Sequence, residues 1–335
     1  MKYIGMDAHS SSCTFCTMDG RGTEIDNTTI ETNGRLLINY VRSIEGAKKL
    51  TFEECELSNW LCSLLKDEVD ELVVCNPVAN REYKRKKTDK LDAGKLAKLL
   101  RGEFLTPVFH DGSAREQLRS LMSGYEDLVS DAVRLKNRYK SLFRKEGKKI
   151  SGEKLYKDES FLDDFKRHDF RFIGERAYRV LECMEEERKK YVKEILRVSK
   201  QFKEIGLLKS IPGIGDLQAP KILAQVIDPN RFLNKYKYFS YCGLVRHKRS
   251  SGGKEYGSAK IWGNRRLKCV YKMAAHSILK GTSGLRKYYD CLKSKGTSDK
   301  AAKNAVSRMV AAISLGVLKN NRRYDDDYFY SNHLK

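Results

Sequence analysis

The sequence predicts an α/β domain followed by a mostly α-helical remainder, and three observations lead there. Short stretches that alternate apolar and polar residues crowd the first 75 positions. Two long, highly charged segments with apolar residues at helical spacing follow between 113 and 201. The last 130 positions are basic, rich in Tyr and again patterned for helices. A chain of 335 residues is long enough for two domains, or for one domain with an elongated insertion.

Residues 2–7 (KYIGMD), 12–18 (SCTFCTM) and 23–31 (TEIDNTTIE) read as three strands separated by polar turns, with Asp19-Gly20 opening the second turn. Asn33 can cap a helix whose apolar positions are Leu36, Leu37, Tyr40 and Val41. A short strand over 50–52, a helix around 58–66 and a buried-type strand over 71–75 (ELVVC) come next, closed by Asn76-Pro77. A meander of three strands followed by alternating helices and strands predicts a mixed sheet covered by helices. From 113 to 205 the apolar positions Leu118, Leu121, Tyr125, Leu128, Val133, Tyr139 and Leu142, then Ala177, Val180, Met184, Tyr191, Ile195 and Val198, predict two long amphipathic helices. They form an antiparallel coiled-coil arm with its tip within 146–172. Residues 206–322 form the C-terminal domain, interrupted by a Gly/Ser-rich break at 249–258. Residues 323–335 (containing YDDDYFYSNH) are expected to be an irregular tail.

The charge is one-sided. The formal net charge is +22, and residues 206–335 hold 26 Lys and Arg against eight Asp and Glu, so +18 of it lies there. Such an imbalance over 130 residues points to a polyanionic partner, nucleic acid, rather than to ordinary metabolic chemistry. Mean hydropathy is −0.60 and no uninterrupted apolar run approaches the roughly 18 residues of a membrane span, so no membrane association is expected. The N-terminus lacks the long apolar core of a signal peptide. Nine cysteines, an odd number lying mostly in apolar runs, read as reduced thiols of a cytoplasmic protein. Cys13 and Cys16 form a CxxC, but no second pair follows at zinc-ribbon spacing, so both are expected as thiols within a strand.

The N-terminal part, nearly balanced in charge, contains the candidate chemistry. Asp7 ends the first strand, and Glu53 ends the strand over 50–52. Asp89 and Asp92, in KTDKLDAGKLAKLL, are three apart at a helix start and share one face, while Leu96, Leu99 and Leu100 hold that helix on a core. Carboxylates from two strand ends and one helix can converge on two divalent ions about 4 Å apart, the arrangement that phosphoryl transfer uses. Oxygen ligands select Mg²⁺ or Mn²⁺ over zinc. Each piece alone has a plainer reading: an Asp after a strand serves a turn, and a DxxD at a helix start serves the helix dipole. Their order, beside a basic partner domain, favours the catalytic one.

YIGMDAHS, TFEECELSNWL, VCNP and KTDKLDAGKLAKLL resemble the successive motifs of the RuvC-like DEDD domain of the "IS one-ten" insertion-sequence family, which includes the Piv-type DNA invertases. SIPGIG, CGLV, SSGG and WGNRRL resemble that family's C-terminal transposase domain, and the resemblance runs in order from Tyr3 to about Leu318. It implies an RNase H-like (RuvC-like) fold for residues 1–112 and a metal-binding DEDD site at Asp7, Glu53, Asp89 and Asp92. Glu54 is the alternative glutamate: strand alternation with Leu50 and Phe52 favours Glu53, whereas the spacing to Trp60 is compatible with Glu54.

The resemblance also matches Ser251 to the family's nucleophilic serine, and so implies DNA cleavage and exchange through a phosphoserine link. Without it, Arg249-Ser-Ser-Gly-Gly253 reads as a flexible loop. Ser250 is the neighbouring alternative, and the alignment through Gly243-Leu244 and Gly252 selects Ser251. Arg246, His247, Lys248, Arg249 and Lys254 surround that serine in sequence and can grip a scissile phosphate. Ile211-Pro-Gly-Ile-Gly215 resembles a helix–hairpin–helix turn whose Gly213 and Gly215 would let backbone N–H groups approach a phosphate; a helix-capping turn is the plainer reading. Lys84, Arg85, Lys86 and Lys87, with Arg81 and the interleaved Tyr83, can follow a nucleic-acid backbone or stand as a solvated charge run. Trp262 with Arg265 and Arg266 can clamp nucleic acid, against a local-core role for the Trp. By resemblance the partners are DNA, a structured noncoding "bridge" RNA and further copies of the chain, as a dimer or tetramer whose half-sites meet across protomers. A junction nuclease using water, or an inactive nucleic-acid-binding derivative, are the competing readings.

Overall fold

The computed structural model of the chain describes residues 1–77, 88–108, 114–150, 152–245, 248–258 and 263–333. It divides into two compact units, Met1–Ser113 and Ala114–Lys335.

The first unit is built on a five-stranded sheet of β1 (Lys2–Ala8), β2 (Ser12–Met18), β3 (Glu24–Glu31), β4 (Lys48–Glu53) and β5 (Glu71–Cys75), in the order β3-β2-β1-β4-β5. β1, β2 and β3 form the antiparallel meander, and β4 and β5 run parallel to β1, as their helical crossovers require. Helices α1 (Gly34–Ser43) and α2 (Ser58–Leu65) cover one face. Asn33 caps α1, its side chain accepting from the N–H groups of Arg35 and Leu36. Strand alternation sorts the side chains: Ile4, Met6, Cys13, Phe15, Leu50 and Phe52 join Leu37, Val41, Leu61 and Leu65 in one dry core. The intervening residues face α3 (Asp89–Arg101), which packs Ala93 and Ala97 on Cys16 and Met18. Cys13 and Cys16 therefore lie in different cores on opposite sides of the sheet and cannot share a metal. Burial pushes the Cys16 thiol up to about 12. After α3 the chain returns along the outer edge of β5, where Val108 N–H donates to the Val74 carbonyl and Asn76 N–H to that of Thr106.

Contact between α3 and the sheet depends on Gly5. A Cβ there would sit 2.1 Å from the Ala93 carbonyl oxygen and 2.4 Å from the Ala97 nitrogen. Only a residue without a side chain lets the helix backbone lie directly on β1.

The second unit opens with two 32-residue helices, α4 (Ala114–Lys145) and α5 (His168–Ser199), packed antiparallel. Short 3₁₀ turns at Lys154–Tyr156 and Glu159–Asp164 build the tip, where Tyr139, Phe143, Leu155, Phe165 and Tyr178 form a small aromatic core of their own. At the base, Leu118, Met122, Tyr125, Ile195 and Val198 enter the main core of the unit. That core is completed by α6 (Lys203–Leu208), α7 (Gln218–Val226), α8 (Lys235–Tyr241), α9 (Arg265–Ile278), α10 (Gly284–Ser294) and α11 (Asp299–Asn320). At its centre the hydroxyls of Tyr238 and Tyr271 are hydrogen-bonded to each other, and Tyr271 is also bonded to Ser314 at 2.7 Å. By length and composition α11 could cross a membrane, but half of its apolar window is buried, and Val306, Val310 and Ala311 belong to the core.

Two expectations are corrected here. The Gly/Ser-rich break is an ordered hairpin of β6 (Lys248–Ser251) and β7 (Lys254–Ser258), with Ser251 paired to Lys254. Gly252 and Gly253, at φ +57° and +75°, form the two-residue turn that favours hairpins, so these glycines promote structure rather than slackness. The tail 323–335 is not irregular through its described part: α12 (Asp326–His333) buries Phe329 against Tyr288 and Tyr324. Asp326 accepts the Gly284 N–H at the start of α10, which satisfies an otherwise unpaired helix donor.

Candidate active site

The site is assembled on the α3 side of the first unit. Asp7 lies two residues along β1 from Gly5, so alternation turns it toward α3. Thr88 caps α3 by accepting the Leu91 N–H, which fixes the first turn and presents Asp89 and Asp92 from it. His9 Nε2 lies 3.3 Å from Asp7 Oδ2 and 4.0 Å from Asp89 Oδ1. Asp7, His9 and Asp89 each offer a ligand atom, all within 4.8 Å of one another. Ligand atoms on opposite sides of a divalent ion are about 4–5 Å apart, so these three groups are close enough to share one divalent cation.

Asp92 stands close enough to act on Asp7 electrostatically. Burial raises the Asp7 carboxyl above its ordinary range, and the negative charges of Asp89 and Asp92 push the same way while His9 opposes them. Mutually repelling carboxylates in a half-buried corner are stabilised by a cation.

Glu53 is the last residue of β4. Met6 and Phe52 are paired in the parallel register of β1 and β4 and both enter the α1/α2 core, so Glu53, one step on, is on the same side of the sheet as Asp7. The Glu54 N–H donates to the Cys75 carbonyl and extends the ladder by one residue, so alternation returns Glu54 to the side of Phe52. His9 was not among the residues expected from sequence. Its signal is its position two residues after Asp7, which puts both on one side of an extended chain.

In the second unit Ser251 is exposed at the end of β6, against the glycine turn, and Lys254 opens β7. Gly213 is occupied structurally: a Cβ there would lie 2.5 Å from the Ala274 carbonyl oxygen of α9, so this glycine lets the turn close on that helix. Gly215 is exposed just before α7. Arg265 is exposed in the first turn of α9, whereas Arg266 bonds Glu126 at 2.6 Å and the Ser123 hydroxyl at 3.0 Å. Lys84, Arg85, Lys86, Lys87 and Arg246, together with Arg81, Tyr83, His247 and Trp262, lie outside the described residues, as do the side chains of Lys248 and Arg249.

Two family models match the chain in sequence order. The DEDD transposase model of IS110 covers residues 4–146, and "Transposase IS116/IS110/IS902 family" covers 206–290. The chain belongs to the IS110 family of transposases. The first IS110 segment contains all four carboxylates and the second contains Ser251. Among relatives, an uncharacterized 43.6 kDa protein of insertion element IS110 from Streptomyces coelicolor is 28% identical over 120 residues, covering 36% of this chain and 30% of that protein. The pilin gene-inverting protein of Moraxella bovis is 29% identical over 122 residues, 36% and 38% of the two chains. The matched region thus spans about a third of those two relatives. The transposase for insertion sequence element IS1111A of Coxiella burnetii is 23% identical over 293 residues, covering 84% of this chain and 78% of that protein.

Proposed function

We propose that this IS110-family chain is a DNA transposase or recombinase that cuts and rejoins strands with a metal-binding carboxylate site and a serine nucleophile. The observation that carries the reading is the meeting of Asp7, from β1, with Asp89, from the first turn of α3, beside His9. The order β3-β2-β1-β4-β5, with β4 and β5 parallel to β1, supports the RNase H-like (RuvC-like) interpretation of the unit. The strand register supports Glu53 over Glu54 as the fourth carboxylate.

In this reading Asp7, Glu53, Asp89 and Asp92 hold Mg²⁺ or Mn²⁺. When bound, such an ion lowers the pKa of a hydroxyl and neutralises charge on phosphate oxygens. Ser251 Oγ attacks the scissile phosphorus and loses its proton; the P–O bond to the sugar breaks, and the departing sugar oxygen takes up a proton. A hydroxyl of the receiving strand then attacks the phosphoserine, releasing Ser251 and remaking a phosphodiester, so no external energy source is needed. Lys254 and Arg265, both exposed, would grip phosphate in this reading. The family resemblance adds a structured noncoding bridge RNA as guide and assembly into a dimer or tetramer, to which the α4–α5 pair would contribute.

The test uses labelled element-end DNA, the RNA encoded beside the gene, and Mg²⁺. Wild-type chain should form a denaturant-resistant protein–DNA adduct. Ser251→Ala should form none, and Asp89→Asn should lose about a hundredfold or more in cleavage. Undiminished cleavage by Ser251→Ala without an adduct would identify water as the nucleophile and sink the serine reading.

A further inference from the structure

The outward face of α9 carries a line of cations with no acidic residue anywhere on the helix (RRLKCVYKMAAHSI). At 100° per residue Arg265, Lys268 and Lys272 fall within about 60° of one another, over an axial length of about 10 Å. The opposite side, Leu267, Val270, Tyr271, Ala274 and Ile278, is buried in the core and fixes which face is outward. Among the described residues no carboxylate pairs with Arg265, Lys268 or Lys272. This separates them from their neighbour Arg266, which Glu126 neutralises, and from the exposed cations of α5 such as Arg171, Lys190 and Arg197, which pair with Asp163, Glu187 and Glu194. Holding unpaired cations in a row costs electrostatic repulsion that a polyanion relieves.

The line borders a built groove. A cavity of about 360 Å³ is lined by Arg265, Cys269 and Met273 of α9, by Gln218 of α7 and by Tyr125 of α4; its one acidic residue, Glu126, is paired with both Lys221 and Arg266. The Ile211–Gly215 turn leads directly into α7, and Gly213 seats that turn on the Ala274 carbonyl, so turn and helix are held as one surface. Asn264, whose side chain caps α9 by accepting the Leu267 N–H, also donates to the Gln225 side chain and ties the start of α9 to the end of α7.

We infer that this surface, Arg265, Lys268 and Lys272 along α9 with the groove against α7, is a docking track for the phosphate backbone of duplex DNA. The inference rests on the proposed function and deepens it. Ser251 and α9 belong to the same compact unit and are separated by only 13 residues, so DNA brought to the serine is the occupant that charge and chain order favour over RNA. Spacings of about 4.5 and 6 Å along the axis suit contacts to successive phosphates, and Lys and Arg contacts of this kind position DNA without reading its sequence.

The experiment measures binding of the full chain to a non-specific DNA duplex of about 30 base pairs across a salt series. Wild type is compared with Arg265→Gln/Lys268→Gln/Lys272→Gln and with a control, Arg171→Gln/Lys190→Gln/Arg197→Gln. Three lost phosphate contacts should reduce the slope of log affinity against log salt by about 2.7, so that a fourfold rise in salt costs the variant roughly 40-fold less affinity than it costs wild type. The control should keep the wild-type slope, and circular dichroism should confirm that both variants are folded. An unchanged slope in the α9 variant, or an equal drop in the control, overturns the inference. So does a slope change confined to single-stranded RNA of the same length. These results leave the proposed function standing if wild type still forms the Ser251 adduct; absence of the adduct alongside the predicted slope change would overturn the function and not the surface.

Discussion

Gly5→Ala tests whether the site's geometry depends on direct contact between α3 and β1. The added methyl would lie 2.1 Å from the Ala93 carbonyl oxygen, 2.4 Å from the Ala97 nitrogen and 3.0 Å from the Leu96 Cβ. The first two are backbone atoms, so no side-chain rotation relieves them, and ordinary contact distances require α3 to withdraw by about 1 Å. Overpacking of this kind costs about 1–3 kcal/mol, which in a unit of this size lowers the melting temperature by about 4–8 °C per kcal/mol. The catalytic effect should be larger than the stability effect implies. Asp89 and Asp92 ride on the displaced helix while Asp7 and Glu53 remain on the sheet, and a misplacement of about 1 Å costs about a hundredfold in rate. The assay is metal-dependent cleavage of labelled DNA, with thermal unfolding of the same preparation followed by circular dichroism. Wild-type cleavage by Gly5→Ala, whether or not stability falls, would refute the claim that this contact sets the carboxylate geometry.

Three further outcomes follow from the same structure. Tyr271→Phe removes the hydroxyl that joins Tyr238 to Ser314 in the buried core of the second unit, and chemical denaturation should record a loss of about 1–3 kcal/mol. Phe329→Ala should cost about 3–5 kcal/mol if α12 is part of the folded unit, and a negligible change would return 323–335 to the status of a tail. Asp7 bears on pH: its folded carboxyl is raised above the unfolded value, first by burial, so the folded state binds the proton more tightly and ionisation opposes folding. Metal-free Asp7→Asn should therefore unfold at a higher temperature than wild type at neutral pH. The difference should shrink as pH falls through the raised pKa, where wild type also becomes neutral; a difference that grows toward acid would contradict the sign.

Much of the first unit was legible because alternation is a strong local signal. The three-strand meander, the β5 run and the Asn33 cap all appear where local patterning puts them. Glu53 and Glu54 were not separable by residue type, since the choice depends on which side of β4 each occupies; the Met6–Phe52 pairing supplies that information only after folding. His9 and Gly5 escaped for the same reason, as their significance comes from α3, some 80 residues away in the chain. In the second unit, composition misled locally. Gly and Ser at 250–253 looked slack, yet two adjacent glycines at positive φ make the hairpin turn. YDDDYFYSNH looked irregular, yet its Asp326 accepts the N–H of Gly284 at the start of α10 and its Phe329 packs on Tyr288, some 40 residues earlier in the chain. Arg266, one residue from Arg265 and chemically alike, is committed to Glu126 across the fold.

The most direct test of the central claim is the divalent-metal dependence of DNA cleavage in wild type and in Asp7→Asn and Asp89→Asn. The account predicts that chelation abolishes wild-type cleavage, that Mg²⁺ or Mn²⁺ restores it, and that each substitution reduces the restored rate by about a hundredfold or more while the fold survives. Cleavage that persists in chelator, or that either substitution leaves at the wild-type rate, would contradict it.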